Sequence, residues 1–459
     1  MRVAIAVAAA VGGVQLYGGF AGLRWSDWDG RQVCRPAQYF TPGSEEEVVR
    51  VVKQAAAEGS RVKVVGAGHS FSAIALSEGA HFISLDNYRK FIRAEADGQH
   101  VRVQGGMRLF ELNEELEKRG LALRNMGATA EQSLAGVTST GTHGTGRDGS
   151  ISTFIRGMRI ITADGVVHEV SRNTTDPKER ELFDAGRVGL GALGVVTEMT
   201  LAVVPLFKLR LQTISIGLDH LLPQLPQLLK DHERVQWYYF PFTGENATLV
   251  VRTETTEPKS PGGCWNITTP SPHIGEEGPG GGTIVGDCTD VGYKAMTGSP
   301  PHYEARSLYT EMEMFVPAEH LAEAIKDFRA YQDKVEPQHN KSWSVFTGVR
   351  YVLQDDIWMS PQYRGPSAVL STIVQGHSEH ETGDPTEFAL FAKGMENVTA
   401  KYGGVPHWGK MNWAAYDDVA TRYERFGDFN KLRKRVDPAG MFMNDYLTRL
   451  LEPPTVALV

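Results

Sequence analysis

A chain of 459 residues is too long for one ordinary hydrophobic core, so at least two domains are expected. Hydrophobic residues make up 41% and charged residues 22%, an ordinary globular balance. The net charge of −8, with no basic run interleaved with aromatics, argues against a nucleic-acid partner.

At the N-terminus, Arg2 precedes the apolar run VAIAVAAAVGGVQL. That run is shorter than the ~20 residues needed to span a bilayer. With the small residues that follow, it reads as a signal peptide over residues 1–22, the alternative being a buried N-terminal strand. Five of eleven asparagines (Asn173, Asn246, Asn266, Asn340 and Asn397) stand in N-x-[ST] sequons. Random placement gives about one or two, so the excess fits a secretory-pathway glycoprotein, in the lumen of the endoplasmic reticulum or secreted. Membrane association is not indicated.

Residues 23–205 alternate β-branched runs (VKVV, FISL, VRVQ, MRIIT, VVTEMTLAVV) with helices such as SEEEVVRVVKQAAAEG, where Ser44 and Glu47 form a capping box. The pattern predicts an α+β domain. Residues 206–400 carry strand-like runs (LRLQTISI, WYYFPF, TLVVRT, LYTEMEMF, AVLSTIV) and the amphipathic helix PAEHLAEAIKDFRAYQDKV, which predicts a cap domain: an antiparallel sheet with helices on one face. Within it, Cys264 and Cys288 flank a Gly/Pro-rich insert too poor in apolar residues to hold a shape by burial. A disulfide there would contribute roughly 3 kcal/mol. A metal site would need four ligands, and no histidine pair accompanies the two cysteines. Residues 401–459 hold PHWGK and a helix ended by Asp437 and Pro438.

Two turns carry the chemistry. VVGAGHS, residues 64–70, ends an apolar run in a glycine turn with a histidine at its tip. Gly66 and Gly68 can adopt positive φ and bring backbone N–H groups close to a phosphate. GVTSTGTHGTG, residues 136–146, has four glycines and five hydroxyl residues and no apolar face to bury, so it must wrap something polar.

These two segments, with GLGALGVVTEMTLAVVP and the later pieces VRYVLQDDIWMSP, PHWGKMNW and LRKRVDPAGMFMNDYL, resemble the vanillyl-alcohol oxidase superfamily, and within it the aldonolactone oxidoreductases. The resemblance spans about residues 25–215 and 305–450. It implies a two-domain fold with a PCMH-type FAD-binding domain, the segment 401–459 packing back on it. It also implies FAD joined covalently through His69, with Gly66, Ala67, Gly68 and Ser70 as one phosphate loop. The second loop would be Ser139, Thr140, Gly141, Thr142, His143, Gly144 and Gly146, with Val195 and its neighbours against the adenine half. His143 reads equally as a loop-packing residue.

Arg350 of GVRY and Lys410 of PHWGK match the family's two cations, with His407 in the same turn, and no metal is expected. Such cations would stabilise negative charge developing on substrate and reduced flavin. Gly105 of VQGGM lies where an alanine in dehydrogenase-type relatives would narrow the approach of oxygen, which implies an oxidase. One position departs from the family: Gly348 stands where a glutamate usually orients the substrate hydroxyls. Glu311 and Glu313, on one face of a strand, are candidates to replace it; alternatively they form a cross-strand polar face. The expected activity is oxidation of an aldono-1,4-lactone by oxygen, giving peroxide and an ascorbate-type product. A sugar-alcohol oxidase and a catalytically silent flavin protein are the alternatives.

Overall fold

The computed structural model describes residues 23–241, 246–298, 300–301, 309–335, 345–375 and 387–454. The proposed signal peptide and the sequon at Asn340 lie outside them.

The N-terminal half is built from two small sheets. A parallel three-stranded sheet joins Gln38–Phe40, His81–Ser84 and Val62–Val65. An antiparallel five-stranded sheet runs in the order Val167–Ser171, Ile155–Ile161, Val195–Ala202, His100–Gln104, Phe91–Ala94. The helix Glu45–Glu58 follows the first strand and buries Val48, Val51, Val52 and Ala55 at i, i+3, i+4, i+7 spacing. Ser44 caps it by accepting from the Glu47 amide at 3.2 Å, but the return bond of a capping box goes one residue further out, from the Gly43 amide to Glu47 Oε2 at 2.7 Å.

The second half is one antiparallel eight-stranded sheet, in the order Thr283–Val291, Lys208–Gly217, Asn246–Thr255, Arg234–Tyr239, Val345–Val352, Ser367–Gln375, Tyr309–Pro317, Val405–Pro406. Its strands alternate. Trp237, Leu249, Val349, Leu370, Met312 and Met314 pack with the helices Leu225–Asp231, Leu321–Val335 and Glu387–Ala400 in one apolar cluster. The intervening positions, Gln236, Tyr238, Gly348, Arg350, Glu311 and Glu313, therefore face the other way, toward the N-terminal half.

The two halves are sewn together by backbone. The Gly146 amide donates to the Tyr351 carbonyl at 2.7 Å, and Thr145 Oγ1 accepts from the Tyr351 amide at 3.2 Å. At the C-terminus, Asn444 Nδ2 reaches three carbonyls of the 73–76 turn, and Asp437 accepts from the amides of Met441 and Phe442 at 2.8 Å each. Cys264 and Cys288 form a disulfide with Cα atoms 5.4 Å apart, closing the Gly-rich insert at the sheet edge, and Cys34 is a buried free thiol. Among the described residues no helix is long and apolar enough to cross a membrane.

Candidate active site

A groove of about 960 Å³ of open space runs through the N-terminal half. Its floor is the strand Val62–Val65 and the turn after it, and Gly66, Ala67, Gly68, His69 and Ser70 all line it. Opposite stand Gln132, Ser133, Ser139, Thr140, Leu190, Gly191, Gly194 and Val196. The turn cannot carry side chains where its glycines sit: a Cβ on Gly66 would come 2.0 Å from Ser133 Oγ, and Gly68 has φ +70°. Among the described residues, the amides of Ala67, Gly68 and Ser70 meet no acceptor, which leaves them for an anion.

Lys63, also lining the groove, is 4% exposed with no acceptor for its ammonium among the described residues, and burial lowers its pKa to about 7. Leu190, the one described non-glycine residue with positive φ (56°), holds its strained backbone through an amide bond to the Ser139 carbonyl at 3.1 Å. Orphan amides, a buried unpaired lysine and glycines packed against backbone fit a dinucleotide's pyrophosphate. The donor set suits FAD.

His69 stands at the mouth of this groove, its ring stacked on Trp28 with centroids 5.2 Å apart. Burial, then the charges of Arg108 and Lys410, lower its pKa to about 4, so the ring is neutral and keeps a lone pair. The PHWGK turn packs directly on this segment: the Phe71 amide donates to the Gly409 carbonyl at 2.7 Å, and Ser72 Oγ to the Trp408 carbonyl at 2.6 Å.

Beyond it lies a buried charge cluster. Lys410 Nζ pairs with Glu311 Oε2, Arg350 Nη1 lies 3.6 Å from Glu313 Oε1, and His143 Nε2 lies 3.3 Å from Glu313 Oε2. Glu311 and Glu313 are 4% and 1% exposed. The sheet explains the meeting: Tyr238, Gly348, Ser371 and Glu313 are register partners across four strands, with Glu311 two positions along. The turn is held to the same strand by the His407 amide on the Glu313 carbonyl (3.0 Å) and the Met411 amide on the Glu311 carbonyl (3.1 Å).

Burial raises the pKa of Glu311 to about 7, Glu313 adding to the rise and Lys410 opposing it. For Glu313 burial is outweighed by Lys410 and by the bond to His143, and its carboxyl is held well below the usual range. Arg350 is held more firmly protonated by Tyr238 and the two glutamates against burial. Burial lowers the pKa of His407 to about 3, and its Nδ1 accepts from the Gly409 amide at 2.9 Å, so the ring is neutral with its proton on Nε2. His143, Glu313 and His407 place candidate ligand atoms within 4.8 Å of one another, but Arg350 and Lys410 already face the carboxylates with positive charge.

Glu311 and Glu313 are thus buried ion-pair partners of both cations, not a cross-strand polar face, and Gly348 sits in the row that Glu313 occupies. His143 serves the charge cluster, not the groove wall.

Gly105 lines the groove, as expected, and a Cβ there would lie 2.5 Å from the Val196 carbonyl oxygen, so the glycine also admits a neighbouring strand. Three other expectations are corrected. Gly146 (φ +116°) belongs to the seam with the cap, where a Cβ would strike the Glu233 carbonyl at 2.4 Å. Val195 points into the core behind the helix Glu45–Glu58, while its neighbour Val196 lines the groove, because successive residues of a strand face opposite ways. Gly141, Thr142 and Gly144 do not line the groove: the loop leaves it after Thr140, and Gly144 turns toward the cap with Asn125 Oδ1 and the Met126 carbonyl 2.3 Å from where a Cβ would stand.

A glycine-turned groove of orphan amides abutting a sheet of buried cations defines a two-domain flavin-dependent oxidoreductase. The FAD binding domain family matches residues 36–171, and the D-arabinono-1,4-lactone oxidase family matches residues 302–450. The chain is similar to the L-gulono-1,4-lactone dehydrogenase of Mycobacterium tuberculosis (30% identity over 94% of this chain and 99% of the relative) and to the L-gulonolactone oxidase of Bos taurus (30%, with the same coverage). In fold it matches the cholesterol oxidase of B. sterolicum, with a TM-score of 0.72, 15% identity and coverage of 93% and 96% of the two chains. The chain belongs to the FAD-dependent aldonolactone oxidoreductase family.

Proposed function

We propose that the protein oxidises the carbinol carbon next to the carbonyl of an aldono-1,4-lactone, with oxygen as the final acceptor. The observation that carries this reading is the buried cluster of Lys410 and Arg350 with Glu311 and Glu313, set against the His69 turn. FAD, held by the 66–70 turn and the groove, would supply a two-electron acceptor for the hydride of that carbon, with oxygen receiving the electrons as hydrogen peroxide. The chain's own groups do the rest. Glu311, with a pKa of about 7, accepts the proton of the substrate hydroxyl. Lys410 and Arg350 hold positive charge where the alkoxide and the reduced ring become negative. Glu313 anchors Arg350 and His143, and Ser371 Oγ, donating to the Gly348 carbonyl at 3.3 Å, holds the strand bearing Arg350 in register.

Anaerobic mixing with L-gulono-1,4-lactone, D-arabinono-1,4-lactone and a panel of alditols tests the reading, with a peroxide assay in air. Bleaching of the flavin by a lactone and stoichiometric peroxide are expected; bleaching by alditols alone contradicts it.

In this reading the flavin is attached through His69, whose neutral ring is suited to forming the bond. Acid-denatured protein then keeps a yellow band, and His69→Ala loses it. A secretory history is supported by the disulfide and by the exposure of Asn173, Asn246, Asn266 and Asn397. A downward mass shift on deglycosylation of protein expressed in eukaryotic cells tests it, and an unshifted mass argues against it.

A further inference from the structure

Two buried arginines stand beside each other on the cap sheet, and they differ in what they meet. Arg234 and Arg252 are register partners on adjacent strands, 1% and 6% exposed. Arg234 is neutralised: Asp148 and Glu233 each lie 3.0 Å from its guanidinium. Arg252 has no such partner. Its Nε donates to the Ala295 carbonyl at 2.7 Å, and among the described residues its terminal nitrogens donate to no group and no carboxylate pairs with it.

Among the described residues, the charged groups that face Arg252 are Arg350 and Arg234, both positive, with the Tyr238 phenol as the balancing neighbour. Burial and these two arginines lower its pKa to about 10, which still leaves it charged at neutral pH. A buried charge without a counter-ion is strongly disfavoured unless something arrives to pair with it.

Arg252 borders a cavity of about 400 Å³ of open space, which Arg350, Gln236, Tyr238, Asn125 and Gly127 help to line. Among the described residues, no acidic residue lines it. The Tyr238 hydroxyl accepts from Gln236 Nε2 at 2.8 Å and so keeps its own proton to donate. Arg350 is shared: it borders this cavity and also faces Glu313 of the reaction cluster. Gly348, register partner of Tyr238, adds no carboxylate beside them. The space has room for a carboxylate, and its lining brings positive charge and hydrogen-bond donors together.

We propose that this cavity takes the anionic end of the substrate: the lactone oxidised here carries a carboxylate remote from the reacting carbon, paired with Arg252 and Arg350. The inference rests on the aldonolactone reading of the site and sharpens its substrate class to lactones of sugar diacids.

The test compares L-gulono-1,4-lactone with D-glucaro-6,3-lactone, the same molecule with its terminal CH2OH oxidised to a carboxylate. Holoenzyme is assayed for kcat/KM on both, and the ratio is the readout, because any effect of Arg252 on the cofactor cancels in it. The wild type is expected to favour the carboxylate lactone at least about tenfold, Arg252→Gln to lower that ratio by about 30-fold or more, and Arg252→Lys to keep most of it. A wild type with no preference, or a ratio unmoved in Arg252→Gln, overturns the inference while leaving lactone oxidation standing. Should Arg252→Gln not fold, the wild-type ratio and Arg252→Lys decide. Flavin reduced by neither lactone removes the aldonolactone reading and this inference with it.

Discussion

The groove of the N-terminal half and the inner face of the cap sheet do their work with different parts of the chain. In the groove, backbone is the active material: the amides of Ala67, Gly68 and Ser70 meet no acceptor among the described residues, and glycines stand where a Cβ would meet a neighbouring main chain or hydroxyl. On the cap sheet, backbone is engaged mostly in the ladder, and side chains at alternate positions carry the charge. Turn substitutions should therefore cost cofactor and spare nothing downstream, whereas sheet substitutions should cost chemistry and leave cofactor in place.

The most severe expected effect is in the groove. Gly66→Val would drive side-chain atoms into Ser133 Oγ, already 2.0 Å from a bare Cβ, and the variant should be purified without flavin, seen as loss of absorbance near 450 nm. A yellow, active Gly66→Val protein would break the comparison. On the sheet, Glu313→Gln removes the charge facing Arg350 and His143; flavin reduction should fall about 100-fold, with the flavin-to-protein ratio unchanged.

A smaller effect is expected from pH. Glu311 is protonated below about pH 7 in the folded protein, and the protonated form cannot accept the substrate's proton. Flavin reduction should thus rise as pH rises through about 7, and Glu311→Gln should abolish that limb; an unchanged profile would assign the proton to another group. The smallest effect on turnover should come from Cys264→Ser with Cys288→Ser. The bridge closes an insert at the sheet edge, away from both sites, so the variant should lose roughly 3 kcal/mol of stability in denaturant melts while its rate per folded molecule is unchanged.

The same contrast explains how much could be read from sequence. Glycine-rich turns announce themselves because few residue types tolerate such backbone, and 66–70 and the start of 139–146 were legible for that reason. Where the second loop leaves the groove was not, since seam glycines such as Gly146 look the same in sequence as phosphate-loop glycines. The close packing of Gly105 against a neighbouring strand was not legible either, since a glycine needed by a strand looks the same in sequence as one that opens a path.

On the sheet, Arg350 and Lys410 were found through their motifs, and Glu311 and Glu313 by alternation. Their pairing needed the strand order, which puts Tyr309–Pro317 two places from Val345–Val352. Lys63 carries a signal in the sequence, a lysine inside the apolar run RVKVV. Arg252 had almost none, because an arginine closing an apolar strand is usually solvated and only the register with Arg234 shows that it is buried.

The claim that the cap sheet supplies chemistry while the groove supplies cofactor is tested most directly with Lys410→Met, by measuring flavin content and anaerobic flavin reduction on one preparation. Lys410 contacts Glu311 and lies over the Phe71 ring at 4.9 Å, at the boundary of the two regions. The account predicts wild-type flavin content and reduction slowed about 100- to 1000-fold with the best lactone. Reduction at the wild-type rate, or loss of flavin with the rate per remaining flavin intact, would contradict it.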